Sequence, residues 1–204
     1  FRGITHRSGV LFEGPAGWAE WSPFPEYGDA EAATWLRAAL EMAQEGYPAP
    51  VRASVPVNGI VPGLPPAEAA ARAVASGCGT VKVKVAAKGE SIDDDVARVA
   101  AVRDALPHVR LRVDANGGWS LDDAAAALRE LEPMGLEYAE QPCASVEELA
   151  ALRAMDLGVP IAADESIRRA GDPLKVKEAG AADIAMLKVQ PIGGVNHKIE
   201  GFFA

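Results

Sequence analysis

Residues 80–85 carry the clearest alternation of apolar and charged positions in the chain. Three valines alternate there with Lys82 and Lys84. Successive side chains of a β-strand point to opposite faces, so the two lysines share one face and the valines share the other. A parallel strand beneath helices is usually apolar on both faces. Two ammonium groups on one face therefore indicate either a strand with one face in water or a site of chemistry.

The same kind of pattern recurs further along the chain. Four more short apolar runs end in charged or amide residues, at 110–116, 136–142, 160–166 and 184–190. Helical patterns separate them, at 94–106, 121–131, 146–155 and 173–179. Strand and helix alternate about every 25–30 residues, which is typical of an eight-fold parallel barrel. The pattern predicts an α/β fold with its chemistry at the carboxyl ends of the strands.

Serines precede three of these helices and predict where they begin. Ser120 and Ser145 stand directly before two of the patterns, and Glu148 follows Ser145 at the spacing of a capping box. The acidic run 93–95, two residues after Ser91, is interpreted as a solvated helix start and not as a metal site, because acids there favour the helix dipole.

The first fifty residues predict a smaller α+β region. Residues 8–13 and 16–21 flank Gly14-Pro15 as in an antiparallel hairpin, and 29–44 has the apolar stripe of an amphipathic helix. The aromatic, proline-containing segment 21–28 either covers a site or packs against a neighbouring domain. This region is predicted to be a partial capping domain, residues 1–50.

The barrel domain is predicted to span residues 51–204. Its first strand is placed at 51–58, followed by a loop at 59–66 and a helix at 67–76. Only six strand patterns are present, and an eight-unit barrel needs about two more. The domain is therefore predicted to be incomplete at its C-terminus, either as a fragment or as a barrel completed by missing residues or another copy, so self-association stays open.

Composition excludes several classes of partner. The chain has 204 residues, a net charge of −9 and 49% hydrophobic residues, so binding to a nucleic-acid backbone is not expected. No apolar stretch is long enough to span a membrane. The two cysteines, Cys78 and Cys143, lack metal-ligand spacing and are expected to be free thiols. A cytoplasmic location is expected.

Three carboxylates follow three consecutive predicted strands: Asp114, Glu140 and Asp164. They can converge at one mouth of a barrel, and three hard oxygen ligands suit Mg²⁺, with Mn²⁺ as a substitute. Each acid could instead cap a helix or pair with a lysine. Buried together without a cation, the three would repel one another.

Lysines lie on the strands before and after these acids. Such an arrangement suits removal of a proton next to a substrate carboxylate, where a divalent ion stabilises the charge that develops. A free lysine is protonated at neutral pH, but burial, a nearby cation and a second ammonium favour the neutral form. Lys84, opposite Lys188, is therefore the candidate base.

The ordered motifs resemble the enolase superfamily in its muconate-lactonizing-enzyme-like branch. They are Lys82-Val83-Lys84, Asp114-Ala115-Asn116, Glu140-Gln141-Pro142, Asp164-Glu165-Ser166 and Lys188. Segments 18–24, 138–143 and 161–167 look more narrowly like the o-succinylbenzoate synthases of actinobacterial type. The resemblance covers residues 1–195 and implies a Mg²⁺-dependent lyase acting on a small carboxylate.

The resemblance also implies roles. Lys84 abstracts the α-proton and later protonates the departing hydroxyl, and Lys188 stabilises the enediolate as a cation. Lys82 supports a metal-binding carboxylate, while Asn116 and Glu165 orient neighbouring groups. The implied reaction is syn-dehydration of 2-succinyl-6-hydroxy-2,4-cyclohexadiene-1-carboxylate to o-succinylbenzoate in menaquinone biosynthesis.

Three alternatives stay open, and the first two share the same catalytic residues. N-succinylamino acid racemases or dipeptide epimerases use both lysines as acid and base, and muconate cycloisomerases have the same type of site. An inactive fragment that serves as a structural module is the third alternative.

Overall fold

The computed structural model describes residues 5–195, which form two compact units. The first contains residues up to Ser54 together with Ile167–Leu174 and residues from Leu187 onward. The second contains Val55–Ser166 and Lys175–Met186. None of the helices in this described part of the chain is long and apolar enough to cross a membrane.

Strands and helices alternate through most of the chain. In order they are β1 (Val10–Gly14), β2 (Gly17–Trp21), α1 (Asp29–Gln44), β3 (Gly59–Val61), α2 (Pro66–Ser76), β4 (Thr80–Lys84), α3 (Ile92–Ala105), β5 (Arg110–Asp114), α4 (Leu121–Leu131), a 3₁₀ turn (Glu132–Met134), β6 (Leu136–Glu140), α5 (Val146–Ala154), β7 (Ile161–Ala163), α6 (Asp172–Glu178), β8 (Ile184–Ala185) and α7 (Val189–Ile192).

The first unit is built around the β1–β2 hairpin and α1. The strands are antiparallel, as predicted, and α1 packs its alanine-rich stripe on them through Ala39 and Ala43. In the aromatic segment after β2, the rings of Phe24 and Tyr27 meet Trp35 of α1 edge to face at 5.8 and 5.7 Å between centroids. These aromatic side chains therefore pack within their own unit.

The second unit is a parallel sheet of six strands in the order β3-β4-β5-β6-β7-β8. Each strand pairs with the next one in sequence, and helices connect them, which is the arrangement of a (β/α) barrel. The predicted fold class is confirmed. In β4, Val81 and Val83 are fully buried, whereas Lys82 and Lys84 on the other face are partly exposed.

Local capping accounts for three of the helix starts in this unit. Ser91, Ser120 and Ser145 each accept a hydrogen bond from the backbone three residues later, so the helix starts predicted after Ser120 and Ser145 are confirmed. The interpretation of run 93–95 as solvated is wrong for Asp95, which is 1% exposed. Its carboxylate accepts a hydrogen bond from the backbone of Ala86 at 2.8 Å.

The predicted first barrel strand is also wrong. Residues 51–58 form no strand, and Val51 is 99% exposed, whereas the strand lies at Gly59–Val61. A Cβ on Gly59 would lie 2.5 Å from the Ser76 hydroxyl of α2, so only glycine fits this close approach. The close approach of this strand to α2 involves residues distant in sequence, so the local pattern did not show it.

The two cysteines differ in their expected reactivity. Cys143 is fully buried, and burial, with a contribution from Glu148, raises its pKa to about 11. Cys78 is partly exposed, and both are free thiols, as predicted. Because the thiolate is the reactive form, we expect iodoacetamide at pH 8 to modify Cys78 and spare Cys143 in the folded protein. Mass spectrometry measures the modification at each site, and a denatured sample, in which both thiols are accessible, is the control. Equal rates of modification at the two sites in the folded protein would contradict this prediction.

Candidate active site

Three of the predicted site residues lie side by side at the carboxyl ends of neighbouring strands. Lys84 of β4 pairs in register with Asp114 of β5, which pairs in register with Glu140 of β6. Glu140 pairs in turn with Ala162 of β7, and Asp164 directly follows the end of that strand at Ala163. Parallel strands therefore align an amine and the carboxylates at one edge.

Lys82 neutralises two of these acids. Its ammonium lies 3.0 Å from Asp114 Oδ2 and 2.9 Å from Glu140 Oε1. Burial by itself lowers the pKa of Lys82, but the two carboxylates outweigh it, so the pKa is raised above its ordinary value. Lys82 consequently stays a cation at neutral pH.

Glu140 is the most buried of these acids. Burial raises the pKa of Glu140, Lys82 opposes this, and the charges of Asp114 and Asp164 raise it further. Its second oxygen, Oε2, is buried and has no hydrogen-bond partner within the described residues. A buried carboxylate oxygen without a hydrogen-bond partner is stabilised by a cation nearby.

The three carboxylates are chemically suited to bind a hard divalent ion. Asp114, Glu140 and Asp164 offer only carboxylate oxygens, which are the ligands that Mg²⁺ prefers. Among residues 5–195, however, no three carboxylate, histidine or cysteine side chains lie close enough together to hold a metal ion as they stand. Coordination of one ion by all three carboxylates would require these side chains to draw closer together.

A hydrogen-bonded chain extends from the second lysine. Lys84 Nζ donates to Asn116 Oδ1 at 2.6 Å, and Asn116 Nδ2 donates to Glu165 Oε1 at 3.3 Å. Asn116 has φ +48°, a left-handed conformation that asparagine tolerates better than most residues. Burial lowers the pKa of Lys84 below that of an ordinary lysine, although Asp114 and Glu165 act in the opposite direction. Lys84 is thus the lysine suited to lose a proton.

The remaining predicted residue, Lys188, belongs to the first unit. It stands three positions after Ala185, the end of β8, and directly precedes α7. The second unit brings six of the predicted residues together: Lys82, Lys84, Asp114, Asn116, Glu140 and Glu165. Asp164 lies in the loop that follows β7, and its charge acts on Glu140.

A buried ion pair behind β4 was missed from the sequence. Arg98 of α3 is 2% exposed and donates to Asp95 at 2.9 Å and to the backbone carbonyl of Lys84 at 3.1 Å. It also pairs with Glu90 at 2.7 Å. Opposite charges three residues apart on the buried stripe of a helix were the available signal. The pair ties the backbone of Lys84 to α3.

Comparison with known families agrees with this architecture. Residues 66–200 match the family described as enolase C-terminal domain-like, and residues 1–43 match the one described as enolase N-terminal domain-like.

Curated relatives are similar over nearly the whole chain. An o-succinylbenzoate synthase from Thermobifida fusca is 59% identical over 96% of this chain, and one from Mycolicibacterium smegmatis is 57% identical over 98%. The chain spans 62% of the length of each of these relatives.

Solved structures share the fold. L-talarate dehydratase from Polaromonas sp. JS666, solved with Mg and L-glucarate, has 28% identity and a TM-score of 0.69 over 81% of this chain and 52% of that one. Dipeptide epimerase from Enterococcus faecalis has 23% identity and a TM-score of 0.75 over 95% of this chain and 71% of that one, which bears on the fold alone.

Proposed function

Since the chain belongs to the enolase superfamily, through its enolase C-terminal domain-like region, we propose that it carries the catalytic groups of an o-succinylbenzoate synthase. The reaction is dehydration of 2-succinyl-6-hydroxy-2,4-cyclohexadiene-1-carboxylate to o-succinylbenzoate. The observation that carries the proposal is the row of Lys84, Asp114 and Glu140 in register on three adjacent strands. The names of the curated relatives support this choice of reaction.

The carboxylates of Asp114, Glu140 and Asp164 would hold the divalent ion. When bound, Mg²⁺ supplies stabilisation of the negative charge that develops on a substrate carboxylate. Lys82 keeps its charge beside Asp114 and Glu140, which limits the repulsion between those two carboxylates.

Lys84 performs the proton transfers in this proposal. Its Nζ removes the proton from the ring carbon that bears the carboxylate, and the electron pair passes into an enediolate. The same nitrogen then returns the proton to the hydroxyl on the adjacent carbon, so that water leaves and the ring becomes aromatic. One residue serving both steps requires both groups to lie on one face of the ring, which makes the elimination syn.

Supporting residues orient this base. Asn116 accepts a hydrogen bond from Lys84 and donates to Glu165, which fixes the direction of the amine. Lys188 is assigned, on the resemblance of its motif alone, to stabilise the enediolate as a cation. In this proposal, the substrate is a small carboxylate.

The test is loss of the cyclohexadiene absorbance upon addition of the purified chain. We expect turnover with Mg²⁺ and none with excess EDTA, and Mn²⁺ should restore part of the rate after EDTA is removed. Absence of turnover together with α-proton exchange of an N-succinyl amino acid in D₂O would identify a racemase instead. Absence of both reactions would overturn the assignment of activity to this chain.

A further inference from the structure

Gln141 joins the loops that follow three strands. It directly follows Glu140 in the chain, and its side chain is fully buried. Its backbone has φ +39°, a left-handed conformation that is uncommon outside glycine. Its backbone N–H donates to Ala162 at 2.7 Å, and its carbonyl accepts from Gly117 at 2.7 Å. A strained residue with a buried amide persists only where surrounding contacts hold it.

The side chain of Gln141 makes its hydrogen bonds mainly with the loop after β7. Oε1 accepts from the backbone N–H of Asp164 at 2.9 Å and of Ser166 at 3.0 Å. Nε2 donates to the Ser166 hydroxyl at 2.7 Å and to the carbonyl of Cys143 at 2.9 Å. The primary amide uses both donor hydrogens and accepts twice at its oxygen, so no shorter or apolar side chain reproduces this set.

These bonds fix where a candidate ligand lies. Asp164 has its own N–H held by Gln141, and Glu140 is the preceding residue in the chain. Gln141 is therefore linked to the backbone of two of the three acidic residues, to Glu140 through the peptide bond and to Asp164 through a hydrogen bond. Groups that orient metal ligands typically change metal affinity by 10- to 100-fold when they are removed.

We propose that Gln141 is a positioning residue that sets the divalent-cation affinity of the site by holding the backbone of Asp164, from which its carboxylate can reach an ion shared with Glu140. This inference rests on the proposed function, because it assigns the same three carboxylates to the ion. Gln141 touches neither the ion nor the substrate in this role and acts through the loop at Asp164.

The experiment measures Mg²⁺ affinity by calorimetry in the wild-type chain and in Gln141→Met, which keeps the length of the side chain and removes its polar atoms. We expect the affinity to fall about 10- to 100-fold in the variant. The matched control is Ser166→Ala, which keeps both bonds to Oε1 and should stay within about 3-fold of wild type. A merely structural role would lower the free energy of unfolding of Gln141→Met and leave its Mg²⁺ affinity unchanged, and that result would overturn the inference.

A second measurement uses only the wild-type chain, in case Gln141→Met fails to fold. Amide hydrogen exchange followed by NMR should find the N–H groups of Asp164 and Ser166 protected, although they lie after the end of β7. Exchange of both at the rate of open loops would overturn the inference. A wild-type chain that binds no Mg²⁺ would overturn the proposed metal site itself, whereas equal affinities in wild type and Gln141→Met would overturn only the role of Gln141.

Discussion

Lys84→Ala is expected to reduce the dehydration rate by about 10²- to 10⁴-fold, the range for loss of a general acid–base group. The upper end is expected because one amine serves both proton transfers. Lys84→Arg should be equally impaired, since a guanidinium stays protonated at neutral pH and cannot act as a base. The measurement is the initial rate of absorbance loss at saturating Mg²⁺, with Mg²⁺ affinity determined in parallel.

The matched control for this prediction is Lys177→Ala, which removes the same charge from an exposed position of α6 in the same unit. Its rate should equal that of wild type. Lys84→Ala should also bind Mg²⁺ with nearly wild-type affinity, because Lys84 hydrogen-bonds Asn116 and not the carboxylates. Full activity in Lys84→Ala would refute the role of this lysine as the base.

Arg98→Met is expected to lower the free energy of unfolding by about 3–5 kcal/mol, because it leaves the buried carboxylate of Asp95 without its cation. Urea denaturation followed by circular dichroism measures this. Adding Asp95→Asn should recover much of the loss, since the asparagine oxygen can still accept from Ala86 and carries no charge. A double variant less stable than Arg98→Met would contradict this explanation.

The exposed pair Arg153–Asp183 provides the control, with side chains 43% and 35% exposed. Arg153→Met should cost about 1 kcal/mol or less, because solvent screens this interaction. A loss at Arg153 equal to that at Arg98 would show that burial is not the cause.

The stability deficit of Arg98→Met should also depend on pH. Burial raises the pKa of Asp95 in the folded protein, while Arg98 and the Ala86 N–H oppose this, so removing Arg98 raises it further. Above this pKa, the charged carboxylate destabilises the folded variant. As the pH falls through the pKa of Asp95 in the folded variant, the folded variant binds a proton before its unfolded chain does. The difference in the free energy of unfolding between the variant and wild type then shrinks. Denaturation at pH 8 and pH 5 should show the larger deficit at pH 8.

Much of the fold could be predicted because its signals are local. The alternation in β4 and the serine before α4 are periodicity and capping signals that act within a few residues. The strand at Gly59–Val61 could not be predicted in this way, because Gly59 is selected by the closeness of Ser76. Asp95 was misjudged for the same reason, since its partners are a loop amide and a buried arginine.

The sequence by itself determined the order of strands and helices and which charged residue types follow each strand. Only the tertiary structure decided how the two lysines of β4 differ. Lys82 lies within 3.0 Å of both Asp114 and Glu140, so its pKa rises, whereas Lys84 bonds a neutral amide and burial lowers its pKa. Periodicity places both lysines on one face, but the charge on each depends on through-space distances to side chains from other strands.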